Sequence, residues 1–180
     1  MKKLFVKILF VPLLFVSQMY SQNILNEAFL EQVNSNSALV DQLGIDLLNK
    51  IIINQVESGN DGGILRFQNG ELNSGNITAV VQQGNNNSVS LKQNGDNNTS
   101  SVIQLGDDNT YDGELSGTNN RLNVSQAGSE NLLLQRLSGN QLDYVISQTG
   151  RGNELMQVES GLDGRRLTIT QKGGMKLIIR

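Results

Sequence analysis

The amino-acid sequence predicts an all-β fold, a two-sheet β-solenoid of 22-residue repeats with two strands per rung. Three observations predict it: glycine recurs every eleven residues, amide side chains keep fixed offsets from that glycine, and the residues between alternate apolar with polar. The recurring glycines, which we expect to form the turns, are Gly84, Gly95, Gly106, Gly117, Gly128, Gly139, Gly150 and Gly161, with Gly173 after a step of twelve. A period held so strictly indicates a repeat architecture.

Glutamine precedes most of these glycines by two residues, and asparagine follows most of them by three. The glutamines are Gln82, Gln93, Gln104, Gln126, Gln148 and Gln171. The asparagines are Asn87, Asn98, Asn109, Asn120, Asn131 and Asn153. Alternate units differ, because Leu115, Leu137 and Glu159 take the position of Gln93 in every second unit after it. The true repeat therefore consists of two eleven-residue units, or two strands and two turns.

The composition excludes several functional classes. Hydrophobic residues make up 37% of the chain and aromatic residues 4%, which is little material for a conventional globular core. Because there is no His and no Cys, we expect no disulfide framework, no cofactor and no enzymatic activity. The formal net charge is −3, and this acidic balance argues against nucleic-acid binding.

Residues 1–22 have the pattern of a secretion signal peptide. Lys2 and Lys3 form a positive start, residues 4–16 are mostly apolar, and Ser21 suits the position before a cleavage site. The apolar run is too short to span a bilayer comfortably. We therefore expect the mature chain to begin at Asn23 and to be secreted.

Residues 23–50 lack the repeat and form the leader of the mature chain. Ile24, Leu25, Ala28 and Phe29 fall close to a helical spacing. The leader is therefore predicted to be a short helix or a partly disordered segment.

Residues 51–76 are interpreted as a degenerate first repeat. Gln68 and Gly70 match the Gln-x-Gly unit, but the step from Gly70 to Gly84 is fourteen residues. That insertion is expected in a loop at residues 74–76. Terminal repeats are commonly atypical because they cap the stack.

The regular array is predicted to cover residues 77–180. In residues 89–99, VSLKQNGDNNT, apolar and amide positions alternate with polar ones before a Gly/Asn-rich tract. Alternation with period two predicts a strand, and Gly and Asn tolerate the positive φ angles of a tight turn. Stacked rungs would place the equivalent glutamines in one interior amide ladder and the asparagines in another at the turns.

One unit fits two registers. In residues 155–161 the regular register turns Leu155, Gln157 and Glu159 inward and leaves Met156 and Val158 facing solvent. A slip by one residue would invert both faces. The sequence leaves both possibilities open.

The chain ends without an obvious cap. Its last residues, LTITQKGGMKLIIR, continue the strand pattern, and an uncovered sheet edge is a template for pairing with another chain. This end also carries a basic C-terminal rim, formed by Arg165, Arg166, Lys172, Lys176 and Arg180.

The repeats resemble those of the curlins, the secreted subunits of bacterial curli fibres. Residues 80–109, VVQQGNNNSVSLKQNGDNNTSSVIQLGDDN, carry the resemblance most clearly, and it extends over residues 64–180. The resemblance implies a cell-surface amyloid fibre used in biofilm matrix and adhesion. It also implies self-assembly with a homologous subunit and export through a dedicated outer-membrane pore. The basic last repeat ending in Arg180 is similar to that of nucleator-type, minor subunits.

Other interpretations remain open. A monomeric secreted β-solenoid could bind glycan or another flat ligand, although Thr168 and Thr170 form a pair that does not repeat. A β-helical glycan-active enzyme would need a recurring carboxylate pair. Turn carboxylates that could bind Ca²⁺ are Asp96, Asp107, Asp108 and Asp112, but the nonapeptide of calcium-binding β-rolls is missing.

Overall fold

The computed structural model describes residues 27–32, 37–42, 50–56, 61–68 and 75–180, with side chains for Gln55 and for residues 75–180. Residues 1–22, interpreted as a signal peptide, lie outside the described residues. The strands are β1 (Glu27–Gln32), β2 (Ser37–Gln42), β3 (Lys50–Val56), β4 (Asp61–Gln68), β5 (Ile77–Gln83), β6 (Ser88–Asn94), β7 (Thr99–Asp107), β8 (Thr110–Ser116), β9 (Arg121–Ser129), β10 (Leu132–Ser138), β11 (Asp143–Arg151), β12 (Glu154–Ser160), β13 (Arg166–Lys172) and β14 (Lys176–Ile179).

Successive strands alternate between two parallel sheets. The odd-numbered strands form one sheet in the order β1-β3-β5-β7-β9-β11-β13, and the even-numbered strands form the other, from β2 to β14. Each chain turn therefore crosses from one sheet to the other, and the next rung lies directly on the previous one. This arrangement confirms the predicted two-sheet β-solenoid. The described part of the chain contains no helix with the length and apolarity needed to cross a membrane.

The interior lies between the two sheets and is filled by the inward positions of each strand. In β9, for example, Leu122, Val124 and Gln126 are buried, while the residues between them are exposed or half-buried. The core combines Val, Leu and Ile with two fully buried tyrosines, Tyr111 and Tyr144. Alternation along each strand thus places apolar and amide residues in the same thin interior.

The leader prediction was wrong about secondary structure. Residues 27–32 and 37–42, expected to be helical or disordered, form strands β1 and β2. In the parallel register Ala28 lies opposite Ile51 and Leu30 opposite Ile53. A short isolated helix is only marginally stable in water, whereas the edge of β3 offers backbone partners to a strand.

The first repeat also differs from its interpretation. The register of β4 with β6 places Phe67 opposite Gln93 and Gln68 opposite Asn94. Gln68 therefore does not occupy the glutamine position that its spacing from Gly70 suggested. A register irregularity between Asp61 and Leu65 accompanies this shift.

The open question at residues 155–161 is resolved in favour of the regular register. Leu155, Gln157 and Glu159 are buried, whereas Met156 is 38% exposed and Val158 is 49% exposed. A slip would have removed the buried polar contacts of Gln157 and Glu159 described below, and buried groups of this kind need partners.

The turns repeat one backbone conformation. In most of them the residue two positions after the recurring glycine also has positive φ; these residues are Asn86, Asn97, Asp108, Asn119, Glu130 and Gln141. Asn and Asp tolerate this left-handed region, whereas longer side chains are strained there by about 1 kcal/mol or more.

Replacing Gln141 with Asn is therefore expected to raise the free energy of unfolding by about 0.5–1 kcal/mol. Gln141 has φ 56° and is exposed, so the change relieves backbone strain without removing a core contact. Chemical denaturation of the freshly diluted monomer would measure the gain. The same substitution at Gln83, which is exposed in extended strand β5, serves as a control and should give no gain. Equal stability of the Gln141→Asn variant and the wild type would contradict the strain assignment.

Candidate functional site

An unbroken column of glutamines runs through the interior of the odd-numbered sheet. The carboxamide Nε2 of each donates to Oε1 of the next, in the order Gln55, Gln82, Gln104, Gln126, Gln148 and Gln171, at 2.7–2.8 Å. All six side chains are fully buried. Because every amide points the same way along the axis, each donor finds an acceptor in the following rung.

The same amides tie the two sheets together. Gln126 Nε2 also donates to the carbonyl of Thr110 at 2.9 Å and to that of Asn131 at 3.1 Å. Gln104 repeats the pattern one rung earlier, with Ser88 and Asn109 as acceptors. Gln104, Gln126 and Gln148 therefore bind their own sheet along the axis and the facing strand across the interior.

Gln55 was not singled out from the sequence. It lies opposite Gln82 in the register of β3 with β5, and its Nε2 donates to Gln82 Oε1. The signal was present, since Ile51, Ile53 and Gln55 alternate as Thr78, Val80 and Gln82 do. It was hidden because the interval from Gln55 to Gln82 is longer than one repeat.

Gln93 was assigned to an amide ladder, and this assignment was wrong. Its neighbour in the next rung is Leu115, which has no hydrogen-bonding group to offer. Gln93 is buried, accepts a hydrogen bond from Thr78 Oγ1 at 3.0 Å and donates to Ser100 Oγ at 2.5 Å. Its amide is thus satisfied across the interior by the facing sheet.

A second amide column lies at alternate turns. Asn109 Nδ2 donates to Asn87 Oδ1 at 3.0 Å, and the same contact joins Asn131 to Asn109 and Asn153 to Asn131 at 2.8 Å. The backbone N–H of each asparagine also donates to the Oδ1 of the preceding one. These four asparagines therefore stack as the repeat predicts.

The asparagine side chains at the other turns contact the backbone of the following rung, as those of the stacked column also do. Asn98 Oδ1 accepts from the N–H of Asn120 at 3.1 Å, and Asn98 Nδ2 donates to the carbonyl of Gly117 at 2.9 Å. Asn76 makes the same contacts with the next rung. The column ends at Leu142, whose N–H donates to Asn120 Oδ1. Each of these asparagines therefore forms hydrogen bonds with the backbone of the following turn.

The predicted turn glycines of equivalent turns lie one above another. Positive φ is found at Gly84, Gly95, Gly106, Gly117, Gly128, Gly150, Gly161 and Gly173. Gly139 lacks positive φ, yet a Cβ there would lie 1.9 Å from the carbonyl oxygen of Leu162. By contrast, a Cβ at Gly161 or Gly173 would meet nothing within 4 Å. Close approach of the next rung, rather than φ alone, distinguishes the internal glycines.

A further interior chain of polar groups was missed by sequence reasoning. Tyr111 donates to Gln135 Oε1 at 3.2 Å, Gln135 donates to Gln157 Oε1 at 2.9 Å, and Gln157 donates to Glu159 Oε1 at 2.6 Å. Tyr144 donates to Glu159 Oε2 at 3.0 Å. The spacing of Gln135 and Gln157, one repeat apart on inward positions, was the available signal.

The two interior tyrosines are expected to resist ionisation. Burial, followed by the hydrogen bond to the Glu159 carboxylate, raises the pKa of Tyr144 to about 12. Burial, with Asp112 acting in the same direction, raises the pKa of Tyr111 well above its ordinary value. Both should therefore remain protonated at pH 11 in the folded chain.

This difference predicts alkaline unfolding. The unfolded tyrosines lose their protons near pH 10, while the folded ones keep theirs, so the folded state binds more protons and stability falls as pH rises from about 10 to 12. Absorbance at the tyrosinate band, followed on the mature chain, should rise together with loss of β-sheet signal. A tyrosinate rise near pH 10 in a chain that stays folded would contradict the burial of these phenols.

The basic C-terminal rim lies in the last rung. Its members are Arg165, Arg166, Lys172, Lys176 and Arg180, of which three lie in β13 or β14 and two border these strands. Arg165 lies 2.8 Å from the buried Glu159 carboxylate, and Lys176 lies 2.7 Å from Glu154. The Arg166 side chain remains 86% exposed. The rim is thus partly neutralised by the preceding rung and partly open to solvent.

The turn carboxylates are engaged by neighbouring rungs. Asp107 accepts from the N–H and the side chain of Asn85, and Asp108 accepts from the side chain of Asn86. Asp112 pairs with Arg136 at 2.8 Å. Among the described residues no group of three or more acidic, His or Cys residues is arranged to hold a metal ion.

Comparison with known families bears on one part of the array. The Curlin associated repeat family model matches residues 84–112. This match supports a curlin-family relationship. The matched span runs from the turn at Gly84 through β6 and β7 into β8, and so includes both kinds of turn and both sheets. The curlin repeat suggests a curli-like amyloid subunit. No curated protein and no solved structure matches the chain.

Proposed function

We propose that this chain is a secreted structural subunit, of nucleator type, of a curli-like extracellular amyloid fibre that acts in biofilm matrix and surface adhesion. The observation that carries the proposal is that hydrogen-bonded stacking runs in parallel register along both sheets of the described body. β13 and β14 are the last strands of their sheets, and β1 and β2 are the first. Such edges template the addition of further strands.

Continuous amide stacking supports an amyloid subunit rather than a monomeric β-solenoid that binds a ligand. In-register parallel strands with Asn and Gln ladders are the interactions that make cross-β assemblies stable. Here the glutamine column spans six rungs within one chain. A subunit that already contains the repeat of the fibre needs little reorganisation to extend it.

The proposed partners are further copies of this chain, a homologous curlin subunit and the outer-membrane curli export machinery. The resemblance to curlins supports all three, and the signal-peptide pattern of residues 1–22 supports export. The nucleator assignment rests on the basic last rung ending in Arg180, which is similar to the last repeat of nucleator-type curlin subunits.

Dilution of the mature chain, residues 23–180, from denaturant at micromolar concentration tests the proposal by thioflavin-T fluorescence and electron microscopy. We expect a sigmoidal rise and fibres. Sub-stoichiometric addition to a major curlin subunit should then shorten the lag of that subunit. A rise without any effect on the second subunit would overturn the nucleator assignment alone.

A flat trace from a folded, β-rich monomer would contradict the fibre proposal. Such a result would favour the alternative, a monomeric secreted β-solenoid that binds glycan or another flat ligand. Sedimentation of the same sample separates the two outcomes, because a capped monomer stays soluble at high concentration and an open-ended stack does not.

A further inference from the structure

Among residues 75–180, apolar side chains on the outside of the body are concentrated in two patches. The outward residues of β6 are all polar or charged, as is usual for a surface in water. The odd patch, on the outer face of the odd-numbered sheet, consists of Ile77, Val81, Ile103 and Leu105, each 37–41% exposed. The even patch, on the outer face of the even-numbered sheet, consists of Leu132, Leu134, Met156, Val158 and Ile178. Exposed apolar patches of this kind mark interaction sites.

Each patch is built around one column of stacked residues. In the odd patch Val81 lies opposite Ile103 in the register of β5 with β7. In the even patch Leu134 lies opposite Met156, and Met156 lies opposite Ile178. The odd column thus belongs to early rungs of the array and the even column to its last three rungs. The two patches lie on opposite faces of the body and are displaced along the solenoid axis.

The chain reverses direction between the sheets, and this reversal brings the two columns into line. Thr78, near the start of β5, donates to Gln93, near the end of β6. The third outward position of an odd-numbered strand, which Ile103 occupies, therefore lies behind the second outward position of an even-numbered strand, which Met156 occupies. A copy moved sideways, perpendicular to the sheets and without rotation, would bring its odd column against the even column of its neighbour.

Charge favours this contact over one between two even patches. A displacement of two rungs places the odd column against Leu134 and Met156, and it places each charged neighbour of the even patch against an uncharged residue. These pairs are Arg136 with Ala79, Glu154 with Leu105, Lys176 with Ala127 and Arg180 with Asn123. Two even patches related by a twofold axis along the solenoid through Met156 would instead bring Lys176 against Arg180. A twofold axis along the strands would bring Glu154 against its own copy, and like charges that meet in this way are unfavourable.

The apolar contact is too small to hold two single copies together. Three rungs of seven-residue strands measure about 14 Å by 23 Å, whereas stable complexes bury roughly 800 Å² on each partner. Stacked copies in a fibre would repeat the contact once per copy, and weak contacts that are linked reinforce one another. Side-by-side association is therefore expected between fibres and not between monomers.

We infer that copies of this chain in neighbouring fibres pack side by side with parallel axes, the odd patch of one copy lying on the even patch of the next at a displacement of two rungs, or roughly 10 Å. Ile103 then faces Met156, and Val81 faces Leu134. The inference rests on the proposed function and specifies how its fibres associate laterally. Because the two surfaces differ, the contact does not close on itself, and each added fibre leaves a free face for another.

Cross-linking of introduced thiols tests the assignment, because the chain has no cysteine of its own. Sheets packed face to face lie about 10 Å apart, so a bismaleimide of that span should join positions 103 and 156 of neighbouring copies in fibres of I103C/M156C. We expect a ladder of dimers, trimers and larger species, because every copy carries both halves of the contact. Fibres of I103C or M156C alone should give at least tenfold less dimer. The control I103C/S90C moves the second thiol three rungs along the same column, about 14 Å out of register, and should show the same loss.

The outcomes separate this inference from the proposed function. Absence of fibres from the wild type would overturn the proposed function, and the lateral contact with it. Fibres of I103C/M156C that give no ladder would overturn the lateral contact and leave the fibre proposal intact. Abundant dimers from either single variant would mean that like faces pair, and a strong ladder from I103C/S90C would mean a different displacement. Either of these results would also overturn the inference.

Discussion

Replacing Gln126 with Glu is expected to lower the free energy of unfolding at pH 7 by about 4 kcal/mol and to suppress fibre formation. The Nε2 of Gln126 donates to three oxygens, those of Gln148, Thr110 and Asn131, while its Oε1 accepts from Gln104. An ionised carboxylate of the same shape would turn its second oxygen toward those three acceptors. One carboxylate oxygen would keep the hydrogen bond from Gln104, but the other would face only acceptors, and such a buried charge is strongly destabilising.

The loss of stability that the Gln126→Glu variant shows relative to the wild type should be smaller at pH 3 than at pH 7. Burial raises the pKa of a carboxyl group above the value of about 4.3 for an unfolded glutamate. The folded state then binds more protons than the unfolded state, so the stability of the variant falls as pH rises through this range. Denaturation of both chains at pH 3 and pH 7 would measure the difference. Replacing the exposed Gln83 with Glu makes the same chemical change outside the core and should cost little at either pH. A Gln126→Glu variant as stable as the Gln83→Glu variant at pH 7 would contradict the buried ladder.

Replacing Gly106 with Ala is expected to lower the free energy of unfolding by about 4 kcal/mol or more. Gly106 has φ 108°, and a Cβ there would lie 2.1 Å from the carbonyl oxygen of Gly128 in the next rung. No side-chain rotation relieves that contact, because the backbone fixes the position of a Cβ and the carbonyl oxygen is itself a backbone atom. The two rungs would have to separate and so lose the hydrogen bonds that stack them.

Gly161 provides a control at a turn of the other kind, between β12 and β13. It has φ 69°, and a Cβ there meets nothing within 4 Å, so Gly161→Ala should cost only the strain of a left-handed alanine, about 1 kcal/mol. Chemical denaturation of both variants measures the two costs. Similar losses at the two positions would mean that φ alone, and not the close approach of rungs, selects glycine.

The repeat made much of the fold predictable from the sequence. In a parallel, in-register stack each residue lies over the residue one repeat away, so a shift by one repeat length gives the neighbours along a column. The glutamine column from Gln82 to Gln148 and the asparagine column from Asn87 to Asn153 follow from this rule alone. The rule failed where the spacing departs from the period, as at Gln55 and in the leader strand Glu27–Gln32.

Contacts across the interior could not be obtained in this way. The partners of Gln93 are Thr78 and Ser100 of the facing sheet, and the Tyr144 hydroxyl reaches Glu159 from the opposite strand. No period relates such residues, because their separation depends on the distance between the sheets and on the side chains that fill it.

The sequence by itself therefore determined the repeat length, the strand and turn positions of the regular array, and the amide columns from Gln82 to Gln148 and from Asn87 to Asn153. Only the tertiary structure decided that the leader joins the sheets, that residues 155–161 keep the regular register and which glycines meet the next rung. The physical reason is that stacking copies the order of the chain, whereas closure of two sheets on one another brings together residues with no fixed separation along it.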